Sequence, residues 1–168
     1  MILETDRLQL RMLSLDDAEF ILRLLNEPSF IQNIGDRGVR NIDDARAYIL
    51  KGPITSYEKF GFGLWMVETR LESTPIGICG LLKRDVLEDV DIGYALIPEF
   101  WSQGYALESA SAVMSHAGER LGLKRVVAVV NSENQSSIRL LEKMGFKYER
   151  MVRLSEDAAE IKLFAAEV

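Results

Sequence analysis

The sequence predicts an α+β fold: one mixed α/β sheet, with strands at both ends of the chain and helices between them. Three observations predict it. Val90 to Ile97 reads as a strand that runs into a glycine turn at Gln103-Gly104-Tyr105-Ala106 and then into a helix. A second strand, loop and helix follow at once. The chain also opens on one strand-like segment, Leu8 to Met12, and closes on another, Glu160 to Ala166.

The elements follow in order. After Leu8 to Met12, a helix is expected from Leu15 to Asn26, with Ser14 as its cap, Asp16 and Asp17 in its first turn, and Pro28 as its stop. The segment Phe30 to Arg40, with Gly35 and Gly38, reads as irregular. Asn41, with Asp44 three residues on, starts another helix that Gly52-Pro53 should kink or break before Tyr57. Leu64 to Thr69 and Ile76 to Leu82 read as a strand pair, and Val90 to Ile97 as a third strand antiparallel to them. Gly93 within that strand marks a bulge or a close backbone approach.

Beyond the turn, Leu107, Ala110, Val113 or Met114, Ala117 and Leu121 recur at helical spacing and make one apolar face. Gly122 supplies a left-handed end to that helix. Arg125 to Val130 is a buried strand, Asn131 to Asn134 a polar loop, and Gln135 to Met144 a helix closed by Gly145. A short strand precedes the last one, where alternation puts Ile161 and Leu163 on one face.

Residues 1–168 suit a single domain: 48% of them are hydrophobic, enough for a core but leaving little room for a second one. Twenty Lys and Arg against 26 Asp and Glu give a net charge of −6, which argues against a general nucleic-acid or anionic-membrane binder. One cysteine, Cys79, permits no internal disulfide, and no run approaches a membrane span. Together with an N-terminus that starts with acid and strand, these features lead us to expect a cytoplasmic protein.

A strand feeding a glycine turn and a helix N-terminus makes an anion site, because backbone N–H groups point outward there and the helix dipole favours negative charge. The chemistry to look for is recognition of a phosphorylated ligand. There is no G-x-x-x-x-G-K-[ST] and no G-x-G-x-x-G after a first strand, so neither a P-loop nor a dinucleotide fold is supported. A lone glycine between strand and helix is often only a turn, and the downstream pattern matters for that reason.

Gly104-Tyr-Ala-x-Glu108, Asn134-x-x-Ser137 and Leu141-Glu-Lys-Met-Gly-Phe146 resemble, in order and spacing, the GNAT superfamily of acyl-CoA-dependent N-acetyltransferases. Glu4-Thr-Asp-Arg-Leu-Gln-Leu-Arg11 and Pro75-Ile-Gly-Ile-Cys-Gly80 resemble its ribosomal-protein-alanine acetyltransferase (RimJ/RimL-type) branch. The resemblance implies a central, mostly antiparallel mixed sheet of six to seven strands flanked by helices. It also implies acetyl-CoA as cosubstrate, with no metal, and an amine acceptor, either a peptide N-terminus or a small molecule. Homodimerisation is left open.

The resemblance assigns the phosphate loop to Trp101, Ser102, Gln103, Gly104, Tyr105 and Ala106. Trp101 stands where the superfamily usually has Arg or Gln, and Ser102 where the branch usually has Gly; a serine fits there if its backbone angles are ordinary. Ala95 would polarise the acetyl carbonyl through its N–H, and backbone groups of Ile97 would hold the pantetheine arm. Asn134 would bond the pantetheine amide or cap the helix. Arg139 and Lys143, four apart, could reach a CoA phosphate, with surface solubility the alternative for Lys143.

Catalysis needs a neutral amine and a stabilised leaving thiolate. Asp91 is the candidate base, since many members of the superfamily carry Glu at the matching point; alternatively it is a solvated residue of the acidic run Asp85, Glu88, Asp89, Asp91. The tyrosine that many members place seven residues after the Asn is Leu141 here, which leaves Ser137 to hydrogen-bond the sulfur. With the usual acid missing, a non-catalytic acyl-CoA-binding or regulatory module on the same fold is the alternative function. His116, the only histidine, is mid-helix beside the apolar face, so no metal site is expected.

Overall fold

Eight strands form one sheet in the computed structural model, which describes residues 1–168. They are β1 (Leu3–Glu4), β2 (Leu8–Met12), β3 (Leu64–Thr69), β4 (Pro75–Leu82), β5 (Asp91–Leu96), β6 (Arg125–Val130), β7 (Lys147–Val152) and β8 (Ile161–Glu167). Their spatial order is β1-β2-β3-β4-β5-β6-β8-β7, and only β5 and β6 run parallel. The sheet has one strand more than the upper expectation because β1 is a two-residue edge strand, too short to carry a pattern. The parallel pair needs a crossover, and α5 (Tyr105–Glu119) supplies it.

Alternation along the strands builds two large cores, with a third, small cluster of Leu87, Val127, Val152 and Leu163. On one face Trp65, Val67 and Leu81 pack with Ala110, Val113 and Ala117 of α5 and with Ile138 and Leu141 of α6 (Gln135–Lys143). On the other, Met66, Ile78 and Ile97 pack with Ile21, Leu24 and Leu25 of α1 (Ala18–Leu25) and with Ala45 and Ile49 of α3 (Ile42–Ile49). Cys79 is fully buried, and burial pushes its thiol up to about 12. His116 packs edge-on against Trp65 with ring centroids 5.4 Å apart, consistent with a packing role.

The first half departs from expectation in two places. A 3-10 turn (Leu15–Asp17) precedes α1, and Pro28 then opens α2 (Pro28–Asn33) rather than only ending a helix. Part of the segment expected to be irregular is therefore helical, because proline's fixed φ suits a first helical position. At Gly52-Pro53 the helical path is not broken. It widens into a π-helical stretch (Leu50–Ile54) and continues as α4 (Thr55–Phe60). A wider turn accommodates a ring that an α-helical one would not. The Asn41 cap forms as expected, its Oδ1 accepting the Asp44 N–H at 2.8 Å.

Candidate active site

β5 runs through a 3-10 turn (Pro98–Phe100) into the loop that starts α5. None of the backbone N–H groups from Ser102 to Leu107 donates to another group of the chain. Six consecutive donors at the start of a 15-residue helix form an anion cradle, since the first turn of a helix leaves its donors unpaired and the dipole adds partial positive charge. Gly104, at φ 82°, lies in the left-handed region. Ser102 does too, at φ 60°, so its backbone angles are not the ordinary ones expected. A glycine would sit there without the steric cost that a Cβ brings.

Trp101 explains its own departure from the superfamily pattern. Its indole N–H donates to the Leu96 carbonyl at 2.8 Å, tying the loop to the end of β5. Arg7 holds the other side. Its Nη1 donates to the Gln103 carbonyl at 2.9 Å, its Nε to Glu108 Oε2 at 2.7 Å, and its guanidinium lies 4.3 Å from the Tyr105 ring centre. Glu108 also accepts from Thr5 Oγ1 at 2.5 Å and from the Arg7 N–H at 3.0 Å. Glu108 offsets the Arg7 charge, so backbone groups rather than a surplus cation dominate the cradle. Thr5, Arg7 and Glu108 lay within the matched motifs, but only the folded chain brings them together.

β5 and β6 pair at one position, Asp91 opposite Val127, where the Val127 N–H donates to the Val90 carbonyl at 3.0 Å. Beyond it no β6 residue stands opposite Tyr94 or Leu96, so the two strands leave an opening toward their C-terminal ends. Two expectations fail here. The register between β4 and β5 is continuous, from Gly77 opposite Leu96 to Leu82 opposite Asp91, so Gly93 makes no bulge, and a Cβ there would meet the Leu82 and Leu64 side chains at 3.3 and 3.4 Å rather than another backbone. Alternate residues of such a ladder turn their backbone groups to the same neighbour. The Ile97 N–H donates to the Ile76 carbonyl at 2.9 Å, and a Cβ on Gly77 would stand 2.2 Å from the Ala95 carbonyl oxygen. Ala95 and Ile97 therefore face β4, and the Ile97 carbonyl accepts from the Phe100 N–H at 3.0 Å. The backbone groups that face the opening are those of Tyr94 and Leu96.

Tyr94 closes the opening on the α6 side, with its hydroxyl 2.6 Å from Ser137 Oγ. Burial pushes the phenol up to about 12, against the opposing effect of that bond. The sequence showed the missing tyrosine at Leu141, which is buried in the core. It did not show that β5 returns a tyrosine hydroxyl to Ser137 from the opposite wall. Asn134 caps α6, its Oδ1 accepting the Ser137 N–H at 3.3 Å, and its Nδ2 donates to no group of the chain. Arg139 is exposed and lies about 200° round the helix from Ser137. It does not share the helix face that Ser137 turns to the opening.

Asp91 stands at the apex of the opening and is buried, with 1% of its surface exposed. That removes the solvated alternative. Burial pushes its carboxyl up to about 6, and Arg84, whose Nε lies 3.2 Å from each carboxylate oxygen, limits the rise. A carboxyl near 6 is largely ionised at neutral pH yet basic enough to take a proton. By strand alternation Asp91 projects to the α1–α3 face, whereas Tyr94 and Ser137 meet on the α5–α6 face. The candidate base and the candidate sulfur partner are thus on opposite faces of β5, and the opening joins them.

Comparison with known proteins shows the family and the fold. Residues 7–147 match the acetyltransferase (GNAT) domain family. The uncharacterized N-acetyltransferase YoaA of Bacillus subtilis (strain 168) is 37% identical over 153 residues, which cover 90% of this chain and 86% of that protein. The uncharacterized N-acetyltransferase p20 of Bacillus licheniformis is 30% identical, with 93% and 88% covered. Among solved structures, the Agrobacterium tumefaciens acetyltransferase superposes with a TM-score of 0.82 at 22% identity, covering 98% of this chain and 92% of that one. The alpha-N-protein acetyltransferase RimL in complex with coenzyme A superposes at 0.83 with 20% identity, covering 99% and 97%. The chain belongs to the GNAT acetyltransferase family and is an acetyl-CoA-dependent N-acetyltransferase.

Proposed function

We propose that this enzyme acetylates a primary amine, a protein N-terminal α-amine or a small amine, by direct attack on acetyl-CoA within a ternary complex. The observation that carries the reading is the run of free N–H groups from Ser102 to Leu107, at the mouth of an opening walled by Tyr94 and Ser137. The run takes the pyrophosphate, with Asn134 Nδ2 reaching the pantetheine arm. The N–H groups of Tyr94 and Leu96, in place of those first assigned to Ala95 and Ile97, meet the acyl end. A likeness to RimL supports the RimJ/RimL-type branch and hence the α-amine.

In the reaction the amine nitrogen bonds to the thioester carbon, and a donor at the carbonyl oxygen stabilises the charge that develops there. The C–S bond then breaks with its electron pair on sulfur. A phenol held at about 12 would protonate an ordinary thiolate (pKa ~8.5) uphill. The Tyr94–Ser137 pair therefore stabilises the leaving sulfur by hydrogen bonding. Asp91, directly or through water, takes the proton that the amine loses. An α-amine (pKa ~7.7–8) asks little of such a base, whereas a lysine side chain (~10.4) asks far more.

Thiol release across a panel of peptides and small amines, alongside calorimetry with acetyl-CoA, tests the reading. Turnover with at least one primary amine is expected. Tight acetyl-CoA binding with no release on any amine would leave the non-catalytic acyl-CoA-binding module in its place.

A further inference from the structure

An open cleft of about 460 Å³ lies on the α1–α3 side of the sheet, between residues 37–39 and one face of α3 and of the π-helical stretch that follows it. This is the face to which Asp91 projects, and it is opposite the one packed by α5 and α6. Arg37, Lys51, Asp44 and Tyr48 line the cleft. Tyr48 also packs against the core beneath it, so its ring is fixed while its hydroxyl is left without a hydrogen-bond partner in the chain.

The charges on this side are not equivalent. Arg11 pairs with Asp17 and Glu68, Arg23 with Glu99, Arg40 with Asp36, and Arg84 with Asp91. Arg37 and Lys51 have neither an ion pair nor a side-chain hydrogen bond. Asp44, the one acid in the lining, accepts the Arg40 N–H at 3.0 Å and keeps its charge, so Arg37 and Lys51 leave the lining net positive by one. The cleft thus presents two free cations and a free phenol in a protein whose net charge is −6. Val39 and Tyr48 of the lining pack in the same core cluster as Ala95 and Ile97, which puts the cleft on the α1–α3 face of the strand that carries Asp91.

We infer that the acceptor amine carries a carboxylate, held in this cleft by Arg37, Lys51 and the Tyr48 hydroxyl while the amine reaches the opening beside Asp91. The acceptor is then an acidic peptide N-terminus or a small acidic amine, two sources of one chemistry. Two unpaired cations attract such a group, and the −6 protein elsewhere repels it, so the charge selects how the acceptor enters. The inference rests on the amine-acetylation reading above.

The test compares Ala-Glu-Glu amide, its uncharged counterpart Ala-Gln-Gln amide, and free glutamate. Binding is followed by backbone amide chemical shifts and turnover by thiol release. Wild type should prefer the acidic peptide over the uncharged one by about 10-fold in kcat/KM, shrinking as salt is raised. The shifts should fall on Gly38, Ala47 and Tyr48. In Arg37→Gln/Lys51→Gln the preference should collapse towards unity, and Tyr48→Phe should weaken it about 3-fold. A response to glutamate as strong as to the peptide assigns the small-molecule source; a response to the peptide alone assigns the N-terminus. Turnover without charge preference, shifts elsewhere, or a loss of acetyl-CoA affinity in the double variant would overturn the inference while leaving amine acetylation standing. Cleft binding with no turnover on any amine would instead remove the acetylation reading.

Discussion

Arg7 and Glu108, 101 positions apart, form the bracket that holds the start of α5 against the N-terminal strand pair, with Arg7 Nη2 2.7 Å from Glu108 Oε2. The bracket reaches the anion cradle directly, because the same guanidinium holds the Gln103 carbonyl. A salt bridge far from the reacting atoms therefore positions the groups that meet the cofactor.

The first prediction concerns that bracket. Glu108→Gln should lower stability by about 1–2 kcal/mol and weaken acetyl-CoA binding more than it changes kcat. Burial alone would push the Glu108 carboxyl up, but hydrogen bonds from Thr5 and Arg7 hold it below 4.5. Its stabilisation is therefore present above that pH and lost as pH falls through the depressed value. Thermal melts from pH 3 to 7 should show an acid loss in wild type that is shallower in the variant; parallel curves would remove the bracket's role.

Loop geometry supplies the second prediction. Ser102→Gly should raise stability by about 0.5–1 kcal/mol, since the left-handed position no longer carries a Cβ. Gly104→Val should do the reverse and abolish acetyl-CoA binding: φ is 82°, and any Cβ would stand 3.2 Å from Arg7 Nη2. Calorimetry on the folded variants reads both. Unchanged affinity in a folded Gly104→Val protein would sink the cradle assignment.

The Tyr94–Ser137 contact yields the third. Ser137→Ala and Tyr94→Phe should each reduce kcat by roughly 10–10²-fold, at or below the lower end of what one oriented donor contributes, with acetyl-CoA affinity changed far less. The double variant should be hardly worse than either single one if the pair acts as a unit. Multiplying losses would instead mean that the two hydroxyls act separately.

Asp91 gives the fourth. Wild-type kcat/KM should rise with pH through about 6, where this carboxyl ionises. Asp91→Asn should remove that limb and cost ~10²-fold near neutral pH, with the deficit shrinking above ~8 for an α-amine that deprotonates unaided. The sign for stability is opposite to that of Glu108. The folded carboxyl binds its proton more tightly than the unfolded one, so wild type loses stability as pH rises from 3.8 to about 6, and the variant should not. A deficit that stays flat across the pH profile would remove Asp91 as base.

Local pattern determined much of this protein. Period-two and helical spacing marked β2 to β6 and β8, and Gly104, Gly122 and Gly145 marked turns that do take positive φ. The cradle was legible for the same reason: a strand, a glycine turn and a helix N-terminus are contiguous, so their physics is local. Tertiary structure decided the rest. Which edge of β5 each residue faces depends on register with β4, and the register turned Ala95 and Ile97 away from the opening and Tyr94 and Leu96 toward it. Whether Asp91 is solvated depends on what packs over it, and burial raised its pKa while Arg84 supplied its partner. The Arg7–Glu108 and Tyr94–Ser137 contacts join residues 101 and 43 positions apart. Spacing along the chain carries no information about such pairs, because it is the sheet order and the α5 crossover that set their distance.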